Sequence, residues 1–134
     1  MAKIITCNTN GIRSAATKGF FDWLHAQQAD VVCIQETKAQ LEQLTDPVFS
    51  PAGYHCFYND AVKKGYSGTA LYCKVKPQRV ITRLGWDPVD SEGRYTQADF
   101  RGLSVISLYM PSGSSSEEAL QKKLSLMDVF MGHM

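Results

Sequence analysis

The chain has 134 residues, of which 44% are hydrophobic and 20% are charged. This length suits one domain that can bury roughly two-thirds of the surface its unfolded form exposes, and the composition excludes a disordered tail or linker. No apolar stretch approaches the length needed to cross a membrane. The formal net charge of +1 does not indicate a polyanionic partner by itself, so local groups of residues must carry any such argument.

The N-terminal residues and the cysteines favour a cytoplasmic protein. The opening segment has no apolar region of secretory length, because Asn8 and Asn10 interrupt it. The cysteines are scattered without a Cys-x-x-Cys pair and lie among apolar or β-forming residues, which favours buried free thiols over a zinc site or disulfides. They are Cys7, Cys33, Cys56 and Cys73. We therefore expect a cytoplasmic location and no membrane association.

The first part of the chain predicts a strand, a helix and a second strand. Residues 3–8 contain β-branched side chains, and the turn-forming sequence Asn-Thr-Asn-Gly follows over residues 8–11. Residues 20–27 place apolar side chains at helical spacing, and residues 31–34 form an apolar run typical of a strand buried on both faces. Two strands joined by such a helix are expected to be parallel neighbours.

Polar side chains follow both of these strands. Asn8 and Asn10 end the first strand, and Glu36 follows the second, so all three are expected along one edge of a sheet. At that position Glu36 is a candidate metal ligand or base, although an isolated glutamate more often opens a solvated loop. The two asparagines are equally compatible with simply building the turn.

The remaining elements follow from the same patterns. A short polar helix is predicted over residues 39–44, loops over 47–51 and 86–94, and strands over 54–58, 69–73, 79–84, 95–100 and 103–109. The last two strands form a hairpin across Arg101-Gly102. A capping box at Ser115 and Glu118 predicts a helix that runs to about Met131.

Two further features are candidates for contact with a ligand. Residues 63–68 form a basic, glycine-bracketed loop that carries Tyr66; it suits a plain hairpin connection, and it also suits contact with a phosphodiester chain. Tyr109 places a phenol at the end of a strand, where it either anchors the rim of the sheet or reaches a ligand.

Together these motifs resemble a known family. Residues 7–13, 33–38, 65–68, 92–94 and 109–113 resemble, in order and spacing, the first half of exonuclease III-type apurinic/apyrimidinic (AP) endonucleases. The resemblance implies the α/β fold of the endonuclease–exonuclease–phosphatase superfamily, a four-layer αββα sandwich. It also implies a Mg²⁺-dependent phosphodiesterase, with Mn²⁺ as an alternative metal, that cuts double-stranded DNA 5′ to abasic sites and acts on 3′ ends as an exonuclease or 3′-phosphatase.

The resemblance also implies roles for individual residues. Glu36 would bind the metal with Asn10 beside it, Asn8 would belong to the catalytic polar network, and Tyr109 would contact the reacting phosphate. The residues implied to face the DNA backbone are Arg13, Lys38, Tyr66 and Ser112.

The sequence departs from the family pattern in two places. Many members have aspartate where this chain has Asn10, which keeps the hydrogen bonding and removes a charge. The family's later Gly-Asp-x-Asn and Asp-His motifs do not occur before Met134, so residues 1–134 are expected to be the N-terminal half of one domain.

The intact enzyme is expected to be monomeric. The half alone is expected to be inactive and to self-associate through an exposed inner sheet face that includes Val105, Ile106 and Leu108.

Two other functions remain open from the sequence. The chain could be a half-domain without catalysis that binds nucleic acid or a partner, or a superfamily hydrolase with another phosphoester substrate, such as RNA or a phosphoinositide. The loop that carries Tyr66 and the Tyr109-x-Pro sequence favour the DNA enzymes over the second of these.

Overall fold

The computed structural model describes residues 3–110. The strands are β1 (Ile4–Asn8), β2 (Val31–Gln35), β3 (His55–Asn59), β4 (Thr69–Cys73), β5 (Arg79–Ile81), β6 (Tyr95–Phe100) and β7 (Leu103–Leu108). The helices are α1 (Ile12–Thr17), α2 (Phe20–Gln27) and α3 (Asp87–Asp90), and there are 3₁₀ turns at Leu41–Gln43 and Pro47–Phe49. Ser112 and the helix predicted after Ser115 lie outside the described residues.

The strands form two sheets. The first has the order β1-β2-β4-β3, and the second has the order β5-β6-β7. β1 and β2 are parallel, with Ile4 opposite Val31 and Asn8 opposite Gln35. The other strand pairs are antiparallel, including the hairpin of β6 and β7. The parallel pairing that the strand–helix–strand pattern predicted is confirmed.

Alternate residues of β2 pack against different layers, which explains its continuous apolar sequence. Val32 and Ile34 belong to a core cluster with Phe21 and Leu24 of α2. Val31 and Cys33 face the other way, in a cluster that contains residues of β6 and β7. The first sheet therefore lies between the helices and the second sheet, and β2 is buried on both faces.

The structure corrects the prediction for the hairpin strand. We expected Val105, Ile106 and Leu108 to lie on an exposed inner face, but Val105 is only 7% exposed and packs between the sheets. Ile106 and Leu108 are partly buried against Val89 and Tyr95. The expectation was wrong because strands of both sheets, and not of one sheet, are present in residues 3–110.

Several short elements also differ from the prediction. Helix α1 was not predicted, although its Ile12 is fully buried. The predicted helix over residues 39–44 and loop over 47–51 each contain only a 3₁₀ turn, and β5 ends at Ile81. The predicted loop over 86–94 begins with α3, which is held by the Asp90 carboxylate as it accepts hydrogen bonds from the amides of Leu84 (2.7 Å) and Gly85 (3.2 Å). Contacts of this kind are not visible in a local sequence pattern.

The four cysteines are free, and Cys33 and Cys73 are buried as predicted, while Cys7 and Cys56 are only partly buried. Burial raises the pKa of the Cys33 thiol to about 11. Within residues 3–110, no helix is both long and apolar enough to span a bilayer.

Candidate active site at the strand ends

The parallel pairing of β1 and β2 continues beyond the strands themselves. The Thr9 amide donates to the carbonyl of Gln35 (3.0 Å), the Gly11 amide to that of Glu36 (2.8 Å), and the Ile12 amide to that of Thr37 (2.9 Å). Residues 9–12 and 35–37 therefore run side by side. Asn8, Asn10 and Glu36 emerge along one edge of the sheet, and their predicted convergence is confirmed.

Strained backbone is concentrated at this edge. Asn10, Glu36, Lys38 and Ser67 have φ values of 46°, 55°, 51° and 52°, in the left-handed region that residues with a Cβ rarely adopt. Hydrogen bonds hold this conformation, since the Lys38 amide donates to the Ser67 carbonyl at 2.8 Å. Such strain costs on the order of 1–3 kcal/mol per residue and is characteristic of functional sites.

The Glu36 carboxylate is the centre of the site. Its side chain is 18% exposed, Oε1 accepts a hydrogen bond from the Tyr109 hydroxyl, and Oε2 lies 3.8 Å from Nζ of Lys38. The same Lys38 ammonium donates to Oδ1 of Asn10 at 2.6 Å. Carboxylate, phenol, ammonium and amide thus form one connected group. This group joins the end of the first sheet to the residue that follows β7 in the second sheet.

Asn8 shapes the turn that carries Asn10. Its Oδ1 accepts a hydrogen bond from the Asn10 amide at 3.0 Å. The turn-building role that the sequence left open for Asn8 is therefore present, and it supports the strained conformation of Asn10.

The Tyr109 phenol is a hydrogen-bond donor over the physiological range. Burial raises its pKa to about 12, with further contributions from the hydrogen bond to Glu36 and from the charge of that carboxylate. The nearby Arg94 guanidinium acts in the opposite direction, but its effect is smaller. A phenol with this pKa keeps its proton at neutral pH.

Sequence reasoning missed Arg94 as a member of the site. Its side chain is 3% exposed, and Nε lies 2.5 Å from a carboxylate oxygen of Glu92. Nη2 donates to the Tyr66 hydroxyl at 2.9 Å, and Nη1 donates to the Tyr109 carbonyl at 3.1 Å. The only indication in the sequence was that Glu92-Gly93-Arg94 forms one of the blocks of the family resemblance.

The predicted DNA-facing residues lie on two sides of Glu36. Arg13 is exposed, and its Nη2 lies 3.5 Å from the Lys38 carbonyl, next to Asn10. Tyr66 lies on the other side, near Tyr109, and Nζ of Lys63 lies 5.0 Å from the centre of its ring. Lys38 therefore links Arg13 to Glu36 on one side, and Tyr66 with Lys63 lies on the Tyr109 side.

A cleft of about 220 Å³ opens beside Asn10. It is lined by Thr9, Asn10, Ser14, Ala15, Lys18 and Phe20. The turn after β1 and helix α1 form its walls, so the polar group around Glu36 has an open space next to it.

The donor set is compatible with a hard cation. Glu36 offers a carboxylate and Asn10 an amide oxygen, and both already contact the same positive charge, the Lys38 ammonium. Mg²⁺ prefers oxygen ligands and is commonly held by one or two carboxylates, with waters and substrate phosphate completing its shell. In the part of the chain that the structure describes, no group of three or more His, Cys, Asp and Glu side chains is suitably placed for a metal. The oxygen donors at this edge that would be available to a Mg²⁺ ion are the Glu36 carboxylate and the Asn10 amide.

The fold and this site define the class of protein. Residues 5–129 match the Endonuclease/Exonuclease/phosphatase family, and the chain belongs to that family. It is 35% identical over 132 residues to an exodeoxyribonuclease of Bacillus subtilis, covering 98% of this chain and 51% of that protein. It is 32% identical over 114 residues to the DNA repair nuclease APEX1 of Danio rerio, covering 84% of this chain and 37% of that protein.

Solved structures agree with the sequence relatives. An AP endonuclease from Archaeoglobus fulgidus superposes with a TM-score of 0.84 at 31% identity, covering 99% of this chain and 51% of that one. The catalytic domain of Xenopus laevis APE2 gives a TM-score of 0.80 at 26% identity, with 96% and 51% covered. The predicted fold class is confirmed. The chain spans about half the length of these relatives or less.

The contact between Tyr109 and Glu36 gives a pH-dependent prediction. Replacing Glu36 by Gln removes the negative charge that helps Tyr109 keep its proton, so the pKa of Tyr109 should fall from about 12. It should remain above the ordinary value of about 10, because burial is the largest cause of the shift.

The titration can be followed in the 134-residue chain by NMR of tyrosines labelled at Cζ, with Tyr109→Phe identifying the resonance. Glu42→Gln, an exposed glutamate in the 3₁₀ turn, is the control. An unchanged Tyr109 pKa in Glu36→Gln would contradict the contact.

Proposed function

We propose that the chain is part of a DNA-repair phosphodiesterase and supplies a metal-binding carboxylate and a phenol that contacts phosphate. The hydrogen bond between Tyr109 and Glu36 carries this proposal, because it holds a neutral donor and an anionic oxygen ligand at one strained strand edge. Membership of the Endonuclease/Exonuclease/phosphatase family and relatives named as exodeoxyribonuclease and DNA repair nuclease support it.

The proposed substrate is double-stranded DNA that contains abasic sites or accessible 3′ ends. The names AP endonuclease and exodeoxyribonuclease among the relatives support incision at abasic sites and removal of nucleotides from DNA ends. A 3′-phosphatase activity would use the same groups, because it also hydrolyses a phosphoester at a 3′ position. Lys38 beside Glu36, Arg13 next to Lys38 and Lys63 over the Tyr66 ring would bind the DNA backbone, and Tyr66 would pack against it.

The proposed metal is Mg²⁺, with Mn²⁺ as an alternative, held by Glu36 with Asn10 beside it. When bound, the metal would offset negative charge on the reacting phosphate. The Tyr109 hydroxyl has a single proton, which it donates to Glu36 in the free chain. On substrate binding this donor would exchange Glu36 for a phosphate oxygen, where it would stabilise charge that develops in the transition state. Asn8 keeps the Asn10 amide oxygen in place by fixing the turn.

Glu36→Gln tests the metal-binding role. In the full-length context, incision at an abasic site should fall by on the order of 10²-fold or more, because a neutral amide is a poor ligand for Mg²⁺. DNA affinity should change little, since the flanking cations remain. Glu42→Gln should behave as the wild type. Wild-type turnover of Glu36→Gln at saturating Mg²⁺ would remove Glu36 from the proposed site.

Tyr109→Phe tests the phosphate contact. Loss of one transition-state donor typically lowers turnover by on the order of 10²-fold, while ground-state DNA binding should weaken much less. Tyr54→Phe is a matched control, because the Tyr54 hydroxyl donates to the Ala29 carbonyl, a contact that involves none of the site residues. An effect limited to affinity would make Tyr109 a residue that binds DNA without stabilising the transition state.

We also propose that activity requires residues beyond those at the Glu36 edge. The chain spans 51% of the Bacillus subtilis exodeoxyribonuclease, and hydrolysis needs a group that activates water in addition to a metal ligand and a donor. The 134-residue chain alone is therefore expected to show no incision, and adding the second half of a relative in trans should restore Mg²⁺-dependent incision. Incision by the purified chain alone would contradict this proposal. DNA binding without incision in the complemented sample would favour a non-catalytic binding module.

A further inference from the structure

Arg94 is a buried cation for which the proposed function has no role. Its side chain is 3% exposed, so its charge has lost most of its contact with water. Burying a charge without compensation costs several kcal/mol, and a buried arginine is therefore expected to have its donors paired. In this chain the partners of Arg94 lie on the residues of the proposed site.

The guanidinium makes three separate polar contacts. Nε lies 2.5 Å from the Glu92 carboxylate, Nη2 donates to the Tyr66 hydroxyl at 2.9 Å, and Nη1 donates to the Tyr109 carbonyl at 3.1 Å. Its central carbon lies 4.8 Å from the centre of the Tyr109 ring and 5.7 Å from that of Tyr66. A planar cation between two aromatic rings is held by cation–π attraction in addition to its hydrogen bonds.

Two hydrogen bonds connect Arg94 and Tyr109, one from the backbone and one from the guanidinium. The Tyr109 amide donates to the Arg94 carbonyl at 2.9 Å, while the Arg94 guanidinium donates to the Tyr109 carbonyl. The preceding residue must be glycine, because a Cβ at Gly93 would lie 2.5 Å from the carbonyl oxygen of Asn59. The close approach at Gly93 therefore restricts the backbone immediately before Arg94.

These contacts argue against direct binding of DNA by Arg94. A side chain that is 3% exposed presents almost no surface to a phosphodiester, and each of its three nitrogens already has a partner inside the protein. The residues that it contacts are more accessible, since Tyr66 and Tyr109 are only partly buried. Any influence of Arg94 on a substrate must therefore pass through the two tyrosines.

We propose that Arg94 is a positioning residue that fixes Tyr66 and Tyr109 relative to each other and thereby holds the Tyr109 hydroxyl on Glu36. The consequence for turnover rests on the proposed function, but the geometric coupling does not. The planar fork of arginine is essential to this role, because one lysine ammonium cannot reach the Glu92 carboxylate, the Tyr66 hydroxyl and the Tyr109 carbonyl in the same geometry.

The first test is spectroscopic and uses the 134-residue chain with Cζ-labelled tyrosines. Arg94→Lys keeps the positive charge and removes the fork, so the resonances of Tyr66 and Tyr109 should shift while that of Tyr54 stays unchanged. If Arg94 acted only through its charge, Arg94→Lys would leave both resonances in place. Unchanged Tyr66 and Tyr109 resonances would overturn the proposal.

Two further variants complete this test, one as a negative control and one as an alternative in case Arg94→Lys does not fold. Arg79→Lys is the control. Arg79 lies in β5 of the second sheet, its side chain is 70% exposed, and its guanidinium pairs with the Asp99 carboxylate at 2.8 Å. Arg79→Lys should shift the resonance of neither Tyr66 nor Tyr109. Glu92→Gln keeps the guanidinium and weakens its ion pair, so it should shift the same two resonances by a smaller amount. This variant provides the test if Arg94→Lys does not fold, and the absence of any shift in it would then overturn the proposal.

The second test is a double-mutant cycle in the full-length context. Arg94→Lys should lower kcat for incision roughly 10- to 100-fold with a smaller change in KM, as expected when a reacting group is misplaced. In a Tyr109→Phe background the same change should have little further effect on kcat, because the effect on turnover passes through the Tyr109 phenol, while an effect on KM through Tyr66 is retained. Fully multiplicative losses would overturn the positioning role.

The two tests also separate this inference from the proposed function. Tyrosine shifts in Arg94→Lys together with normal incision by Tyr109→Phe would support the coupling and refute the function proposed for Tyr109. Unshifted tyrosines together with strong losses in Tyr109→Phe and Glu36→Gln would support that function and refute the positioning role of Arg94.

Discussion

The parallel pairing of β1 with β2 is the constraint on which the site depends. Because the two chains continue to hydrogen-bond after the strands end, Asn10 and Glu36 leave the sheet next to each other. A shift of this register by one residue would turn every side chain of the strands to the opposite face and separate the polar group. Val32 and Ile34 pack in one core cluster while Val31 and Cys33 pack in another, and a slip would exchange the two sets, so the packing of the core and the geometry of the candidate site depend on the same register.

A second constraint joins the two sheets. Tyr109 follows β7 in the second sheet and donates its hydroxyl to Glu36, which follows β2 in the first sheet. The sheets must pack in one relative position for this bond to form, and buried polar contacts between them define that position. Ser107 donates to the Ile34 carbonyl at 2.8 Å, and Thr69 donates to the Gly93 carbonyl at 2.9 Å. Such contacts specify one arrangement where apolar side chains alone would tolerate several.

The sequence predicted the features that depend on local pattern. The strand before Asn8, the buried strand before Glu36 and their parallel pairing follow from side-chain periodicity and connection length. The role of Arg94 could not be predicted this way, because it follows from an approach of Gly93 to Asn59 and from contacts with Tyr66 and Tyr109, all distant in sequence. The burial of Val105 was mispredicted for a similar reason, since periodicity cannot show which sheet covers a strand.

The charges at the site explain why a substrate and a metal would depend on each other here. Glu36 is acidic, Lys38 is basic and Asn10 carries a neutral amide, so this group has no excess negative charge. A divalent cation gains less from such a group than from paired carboxylates. A phosphodiester substrate would bring negative charge, and it would also offer the Lys38 ammonium a partner in place of Glu36 and Asn10. In the proposed enzyme the neutral Asn10 would therefore leave part of the coordination of Mg²⁺ to the phosphate of the DNA.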